Sequence, residues 1–349
     1  MAVPFVELDV SGSHREIGRQ IGEDVRPLIE RCVASYETDF ERSSGMSFAA
    51  AEERTLPLLA AAERVLPQYV DELRGLAEGA DVPFSRLLLL NCGEELFCSA
   101  AGEQGHCTSV AVAQGGRTIV AHNEDWSAND VENNVLLRIA VPDGTRILAM
   151  TTACFLPMTG LNSHGLAFAA NTLSARDERP GVPNAFVRRW VIESSTREEA
   201  TARALLAARA RGSNHLFGQA GGGVWDVETS AERAAIIEGG EWLAHTNHYV
   251  ADEMLDLEGP VSGGSRRRYA RACKLLTDGL RKRLDPVEMA AEILRDHDAA
   301  PTSICCHGVN GQDDPSPTTA SMIWELEERR MHVCAGPPCE NPYRAVSLG

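Results

Sequence analysis

Residues 105–126 constrain the fold more than any other stretch. Gly105-His-Cys-Thr-Ser-Val110 opens a run that reaches Gly115-Gly116, and Thr118-Ile-Val-Ala-His-Asn-Glu-Asp-Trp126 follows it. Two β-branched runs parted by a Gly-Gly pair read as a hairpin, because a tight two-residue turn needs positive φ at both positions. The first strand begins beside Cys107 and the second ends at Asn123 and Asp125, so the hairpin returns a carboxylate to a thiol.

Upstream the texture is helical. Ile17, Ile21, Val25, Leu28, Ile29 and Cys32 fall at three-and-four spacing within 13–38, and Ser13 with Glu16 makes a capping box. Further helices are expected over 48–65 and 67–79, with a fourth from Val82 to about residue 98 carrying Pro83 in its first turn. Residues 99–106 are small and polar and read as an exposed loop, the kind of place a scissile bond needs. Beyond Cys107, strands are expected at 135–140, 146–152, 166–171, 214–219, 223–228, 233–238 and 241–246. One helical pair is expected at 185–193 and 197–210, a second at about 265–281 and 286–296, and a closing hairpin at 320–326 and 330–335. Stretches 177–184 and 311–319 read as surface loops. Strands and helical pairs in this alternation suit an α+β fold, two packed sheets with helices outside.

The 349 residues include 33 basic against 50 acidic, a formal charge of −17. That balance argues against nucleic-acid and anionic-membrane partners, both of which need a basic face. No apolar run approaches the ~20 residues of a membrane span. The start, Met-Ala-Val-Pro-Phe-Val-Glu, has neither a basic region nor a long apolar stretch, so no export signal and a cytoplasmic location are expected. The ten cysteines then read as reduced thiols. They include no Cys-x-x-Cys pair, Cys305-Cys306-His307 is adjacent rather than at ligand spacing, and His245 and His248 sit three apart on an expected strand. No metal and no cofactor is expected from these patterns.

Several motifs in a fixed order carry a resemblance: Cys107-Thr108, Asn123-x-Asp125-Trp126, Gly160-x-Asn162-x-x-Gly165-Leu166, Asn171, His245-Thr-Asn-His248, Ser265-x-x-Arg268 and Thr318-Thr-Ala-Ser-Met…Gly336-Pro-Pro. Ahead of them stand Gly12-x5-Gly18 and Arg74-Gly-Leu-Ala-Glu-Gly79. Together they resemble the acyl-coenzyme A:6-aminopenicillanate acyltransferase (isopenicillin N acyltransferase-like) family of N-terminal nucleophile hydrolases. The resemblance implies a four-layer αββα sandwich and self-cleavage between His106 and Cys107. Residues 1–106 would then be a helical segment that stays bound as the smaller subunit of an αβ heterodimer, and 107–349 the catalytic domain. Self-association is left open.

The chemistry expected at such a site follows from the residue types. A cysteine at a new N-terminus carries its own base, since an α-amine has a pKa of about 7.7–8 against about 10.4 for lysine. Neutral amides suit the oxyanion, with Asn247 the first candidate and Asn171 the second. Asp125 would hold the α-amine by a charge-assisted hydrogen bond. Arg266 or Arg268 would pair with Asp125 or with a substrate carboxylate, and Asn123 and Trp126 are candidates for substrate contact. Resemblance to bile-salt hydrolase supports Cys107, Asp125, Asn171 and Asn247 in these roles. The expected reaction attacks a small N-acyl amine or amide through an acyl-Cys107 thioester, passing the acyl group to water or an amine, with acyl-CoA one candidate donor. Two other readings stay open: a metal-dependent hydrolase, and a catalytically silent binding homologue, the latter because His106 stands where the family often has glycine.

Overall fold

The computed structural model describes residues 4–44, 46–96, 107–261, 263–308 and 316–349. The chain opens with β1 (Val6–Ser11), followed by helices α1 (His14–Asp24), α2 (Arg26–Ser44), α3 (Phe48–Arg54), α4 (Leu56–Val65), α5 (Pro67–Ala80), α6 (Phe84–Asn91) and α7 (Gly93–Leu96). Next come β2 (Thr108–Gln114), β3 (Arg117–Asp125), β4 (Asn134–Ala140), β5 (Arg146–Thr152), β6 (Gly160–Asn162) and β7 (Leu166–Thr172). The pair α8 (Asn184–Val191) and α9 (Arg197–Ala204) leads to β8 (Ser213–Gln219), β9 (Gly223–Thr229), β10 (Ala234–Glu238) and β11 (Trp242–His245). The pair α10 (Gly263–Lys282) and α11 (Pro286–Leu294) precedes β12 (Thr318–Glu325), β13 (Arg330–Ala335) and β14 (Arg344–Ser347).

Two sheets result. One has eight strands in the order β1-β4-β5-β6-β7-β8-β9-β10; the other has six, in the order β11-β2-β3-β12-β13-β14. Strand alternation distributes the side chains between layers. Val135, Leu137 and Ile139 of β4 pack under the N-terminal helices and α8, whereas Leu136 packs between the sheets against Trp324 and Val333. On the far side, Val110, Val112, Ile119 and Ala121 pack under α10 and α11. These are the four layers of the αββα sandwich that the resemblance implies. The β2–β3 hairpin forms as expected: Gln114 pairs with Arg117, and Gly115 and Gly116 take φ of 60° and 77°.

Two differences from the sequence reading bear on the site. Residues 6–11 are a strand, paired parallel to β4, so the first 106 residues are not wholly helical. The alternation Val6-Glu-Leu-Asp-Val-Ser, with Leu8 and Val10 buried, is its signature. The expected helix over 13–38 also breaks at Val25, ahead of Pro27, and the one over 48–65 breaks at Thr55, ahead of Pro57. Proline removes the backbone donor that would continue the preceding turn.

Helices α1 and α5 lie in contact through glycines. A β-carbon on Gly18 would sit 1.9 Å from the Glu72 carbonyl oxygen, and one on Gly75 would sit 2.1 Å from that of Arg15. Gly22 and Gly79 are equally close to the facing backbone, which gives the leading Gly18 and Gly75/Gly79 motifs a packing cause.

Candidate active site

Cys107 is buried immediately before β2. Because Thr108 pairs with Asn123, Cys107 lies beside Glu124 and Asp125 at the end of β3. Its thiol donates to Glu124 Oε1 (3.4 Å) and lies 3.9 Å from the Asp125 carbonyl oxygen. Burial first, then the nearby carboxylates Glu124 and Asp125, push the thiol well above its ordinary pKa, so it rests protonated.

The alternation of β3 sends its polar side chains in opposite directions. His122 and Glu124 face the space between the sheets. There Glu124 Oε2 is 3.1 Å from His122 Nε2, and His122 Nδ1 is 2.9 Å from Ser109 Oγ. Ser109 in turn donates to Asn171 Oδ1 of the opposite sheet (2.8 Å). The result is an unbroken polar chain from the Cys107 sulfur through Glu124, His122 and Ser109 to Asn171. Sequence reasoning named Cys107 and Asn171 at its ends and missed Ser109, His122 and Glu124. The period-two pattern of the hairpin holds the signal for them, since residues 107, 109, 122 and 124 share one face.

Asp125 points the other way, toward α10. Its Oδ1 accepts from Thr318 Oγ1 (2.7 Å), and Oδ2 is buried with no hydrogen-bond partner among the described residues. Burial raises its pKa well above the ordinary carboxylate value, against the opposing pull of Arg268. Arg268 itself is buried. Its guanidinium donates to the Cys107 carbonyl oxygen (2.6 Å), to Thr108 Oγ1 (3.0 Å) and to Asn247 Oδ1 (3.0 Å). Asn247 Nδ2 donates to the Thr172 carbonyl oxygen (3.2 Å), and its backbone N–H to Ser265 Oγ (2.9 Å). Asn171 Nδ2 is buried without a partner among the described residues.

The structure thus brings Cys107, Asp125, Asn247 and Arg268 together, reaches Asn171 through Ser109, and leaves others out. Arg266 is more than half exposed and pairs with Glu258, so it does not reach this cluster. Asn123, offered for substrate contact, is a pin for the outer layer: Nδ2 donates to the carbonyls of Leu294 and Ile304 (both 2.9 Å) and Oδ1 accepts from Ser321. Trp126 lines the cleft. His106 lies outside the described residues.

That cleft holds Cys107 and Glu124 at one wall. Trp126, Met150, Phe155 and Met158 supply apolar surface, and Glu94, Glu95 and Arg188 supply charge. Arg188 is engaged by Glu94 (2.5 and 3.1 Å), so the lining carries more carboxylate than cation. Burial, with Glu94 beside it, lifts Glu95 to a pKa of about 7. Among the described residues, two groups of side chains present metal-ligand atoms within 4.8 Å of one another: Cys107, His122 and Glu124 here, and His297, Cys305, His307 and Cys339 elsewhere. In the first group each residue already bonds the next, with Glu124 between thiol and imidazole, which suits a proton path.

Comparison with known proteins decides the family. The family model described as acyl-coenzyme A:6-aminopenicillanic acid acyl-transferase matches residues 112–340. The chain belongs to this family. The matched region holds Asp125, Asn171, Asn247 and Arg268 and starts just after Cys107. Among curated relatives, the acyl-coenzyme A:6-aminopenicillanic-acid-acyltransferase 40 kDa form of Emericella nidulans is 25% identical over 97% of this chain and 94% of its own length. The beta-alanyl-dopamine/carcinine hydrolase of Drosophila melanogaster is 27% identical over 57% of this chain and 56% of its own length. Among solved structures, penicillin V acylase from Agrobacterium tumefaciens aligns with a TM-score of 0.47 and 17% identity over 66% of this chain and 82% of its own. Conjugated bile acid hydrolase from Clostridium perfringens, a C2A mutant, aligns with a TM-score of 0.48 and 13% identity over 69% and 92%. The chain is thus a member of a family of acyl-transfer enzymes, and its curated relatives include an acyltransferase and a hydrolase.

Proposed function

We propose that the protein cuts its own chain between His106 and Cys107 and that the freed Cys107 is the nucleophile of an amidohydrolase or N-acyltransferase. The observation that carries this reading is the buried carboxyl of Asp125, near enough to Cys107 to help raise its pKa, whose Oδ2 lacks a partner among the described residues. A buried carboxyl with an unmatched oxygen is costly unless a donor reaches it. A new α-ammonium at Cys107 would be that donor, and its charge would draw the Asp125 pKa back down.

In the uncut chain the nitrogen of residue 107 is an amide and cannot accept a proton. The thiol proton released in the first step then needs another acceptor, and Glu124, backed by His122, is within reach. As sulfur attacks the His106 carbonyl carbon the C–N bond breaks, the proton held by Glu124 passes to the leaving nitrogen, and the acyl group moves to sulfur; water then hydrolyses that thioester, leaving His106 with a carboxylate and Cys107 with a free amine and thiol. In turnover the α-amine takes the thiol proton and the thiolate attacks the substrate carbonyl. Amide donors of Asn247 and Asn171 stabilise the tetrahedral oxyanion, where one donor is worth ~10²–10³ in rate. Collapse expels the amine with the proton, and water or a second amine attacks the thioester. Arg268 holds the Cys107 carbonyl and the Asn247 side chain in register. The carboxylate-rich cleft favours substrates bearing an amine or ammonium, and residues 1–106 remain as the smaller subunit.

Mass spectrometry of wild type and Cys107→Ala tests this, with a panel of N-acyl amines and acyl-CoA compounds. Wild type yields a fragment beginning at Cys107 and turns over at least one amide; Cys107→Ala stays whole and inactive. Active protein with an intact bond into Cys107, or activity surviving Cys107→Ala, would overturn the proposal.

A further inference from the structure

The second ligand group lies on the outer side of the six-stranded sheet, and none of its four residues lines the cleft beside Cys107. It draws on three short segments. His297 follows α11, Cys305 and His307 lie on the stretch leading toward β12, and Cys339 follows β13. The four ligand atoms converge: His297 Nε2 and His307 Nε2 are 3.0 Å apart, Cys305 Sγ and Cys339 Sγ 3.6 Å, Cys339 Sγ and His307 Nε2 3.2 Å, and Cys305 Sγ and His307 Nε2 4.0 Å. A tetrahedral zinc with bonds of about 2.3 Å to sulfur and about 2.0–2.1 Å to nitrogen separates its ligands by about 3.8 Å (S···S), 3.6 Å (S···N) and 3.3 Å (N···N). The two S···N separations bracket their ideal value, and the S···S and N···N separations fall slightly short of theirs. Two imidazole nitrogens and two sulfurs facing one another have little other reason to gather, since hydrogen bonds among them are weak or compete for the same proton.

We propose that His297, Cys305, His307 and Cys339 form a structural Cys₂His₂ zinc site. The donor set is the one that selects zinc among common divalent ions, and four protein ligands leave no open position for chemistry. Outer contacts support it. His307 uses Nε2 toward the cluster and presents Nδ1 to Glu340 Oε1 (3.4 Å), the carboxylate–histidine arrangement that orients a metal-bound imidazole. The Cys305 N–H donates to the Asp296 carbonyl (2.9 Å), Asp296 is clasped by Arg271 (3.0 and 2.6 Å), and Arg295 donates to the Pro338 carbonyl (2.9 Å) beside Cys339. The backbone is therefore fixed on both sides of the cluster.

The site also touches the catalytic centre through one residue. The Cys306 N–H, between two ligands, donates to Thr318 Oγ1 (3.0 Å), and that hydroxyl donates to Asp125 Oδ1 (2.7 Å). Zinc would hold the strap that positions Thr318, and through it Asp125.

The test uses full-length protein carrying no histidine tag, purified reduced and without chelator. Zinc is counted by mass spectrometry, and cobalt is substituted to read geometry. About one zinc per chain is expected, with the intense visible bands and thiolate charge-transfer absorption of tetrahedral cobalt. Cys339→Ser, at an exposed position, should lose the metal while keeping its far-ultraviolet circular dichroism, and a strong chelator should lower the Tm of wild type but not of that variant. Reduced wild type that binds neither zinc nor cobalt, a cobalt spectrum without thiolate bands, a Cys305–Cys339 disulfide in freshly isolated protein, or full metal content in both Cys339→Ser and His297→Ala would overturn the proposal. None of these readouts depends on Cys107 or on turnover.

Discussion

Glu95 sets the charge of the cleft near neutral pH. Burial and the neighbouring Glu94 hold its pKa at about 7, so it is proton-bound at pH 6 and ionised at pH 8. A substrate bearing an ammonium group is then held more tightly as pH rises across that range. The expected outcome is a KM that falls several-fold between pH 6 and pH 8 for such a substrate, stays level for a neutral analogue, and loses its slope in Glu95→Gln; steady-state kinetics at a series of pH values checks it. Glu95 was not legible in the sequence, because its role comes from α7 facing the cleft, and nothing local to Gly93-Glu-Glu-Leu states that. The choice between Arg266 and Arg268 had a readable signal: Ser265, Arg268, Ala272 and Leu276 lie at three-and-four spacing on the buried face of α10, and Arg266 lies off it. Cys107, Asp125, Asn171 and Asn247 stood out because their motifs did, whereas Glu124 and His122 are ordinary polar residues until the register of β2 against β3 places them.

Among the elements, the α1–α5 contact is the tightest. Its glycines admit the facing carbonyls so closely that any side chain must push the helices apart. Gly75→Ala adds a β-carbon 2.1 Å from the Arg15 carbonyl oxygen, and overpacking of this kind costs about 1–3 kcal/mol or more. Thermal unfolding should show a lowered Tm for Gly75→Ala, whereas Gly115→Ala perturbs only the φ of an open turn and leaves this helix pair intact. The long helices and the hairpin were legible from spacing and turn residues. Short strands were not: β6 has three residues and β14 four, and pairing rather than propensity makes them strands. The Cys₂His₂ cluster escaped for a similar reason, since its ligands stand 8, 2 and 32 positions apart in the chain and no spacing motif spans three segments.

Across the whole molecule, the parts before and after Cys107 share one core. Leu73 and Leu88 pack in the same cluster as Phe168 and Phe217. Arg189 of α8 is fully buried and forks onto Glu72 of α5 (2.8 and 3.0 Å) and Glu193 (2.8 Å), while Tyr69 donates to Glu193 (2.8 Å). Removing one partner of such a buried pair costs ~3–5 kcal/mol. If the chain is cut before Cys107, the two pieces should co-elute in native size-exclusion chromatography and part only in denaturant; fragments that separate in native buffer would contradict this packing. The six residues of β1 make the point most sharply, for they border β4 in parallel pairing. Encoding the segments before and after Cys107 in one chain guarantees equal stoichiometry and hands the eight-stranded sheet its own border. A gene split at that position would have to recruit the same border from solution, at the mercy of concentration.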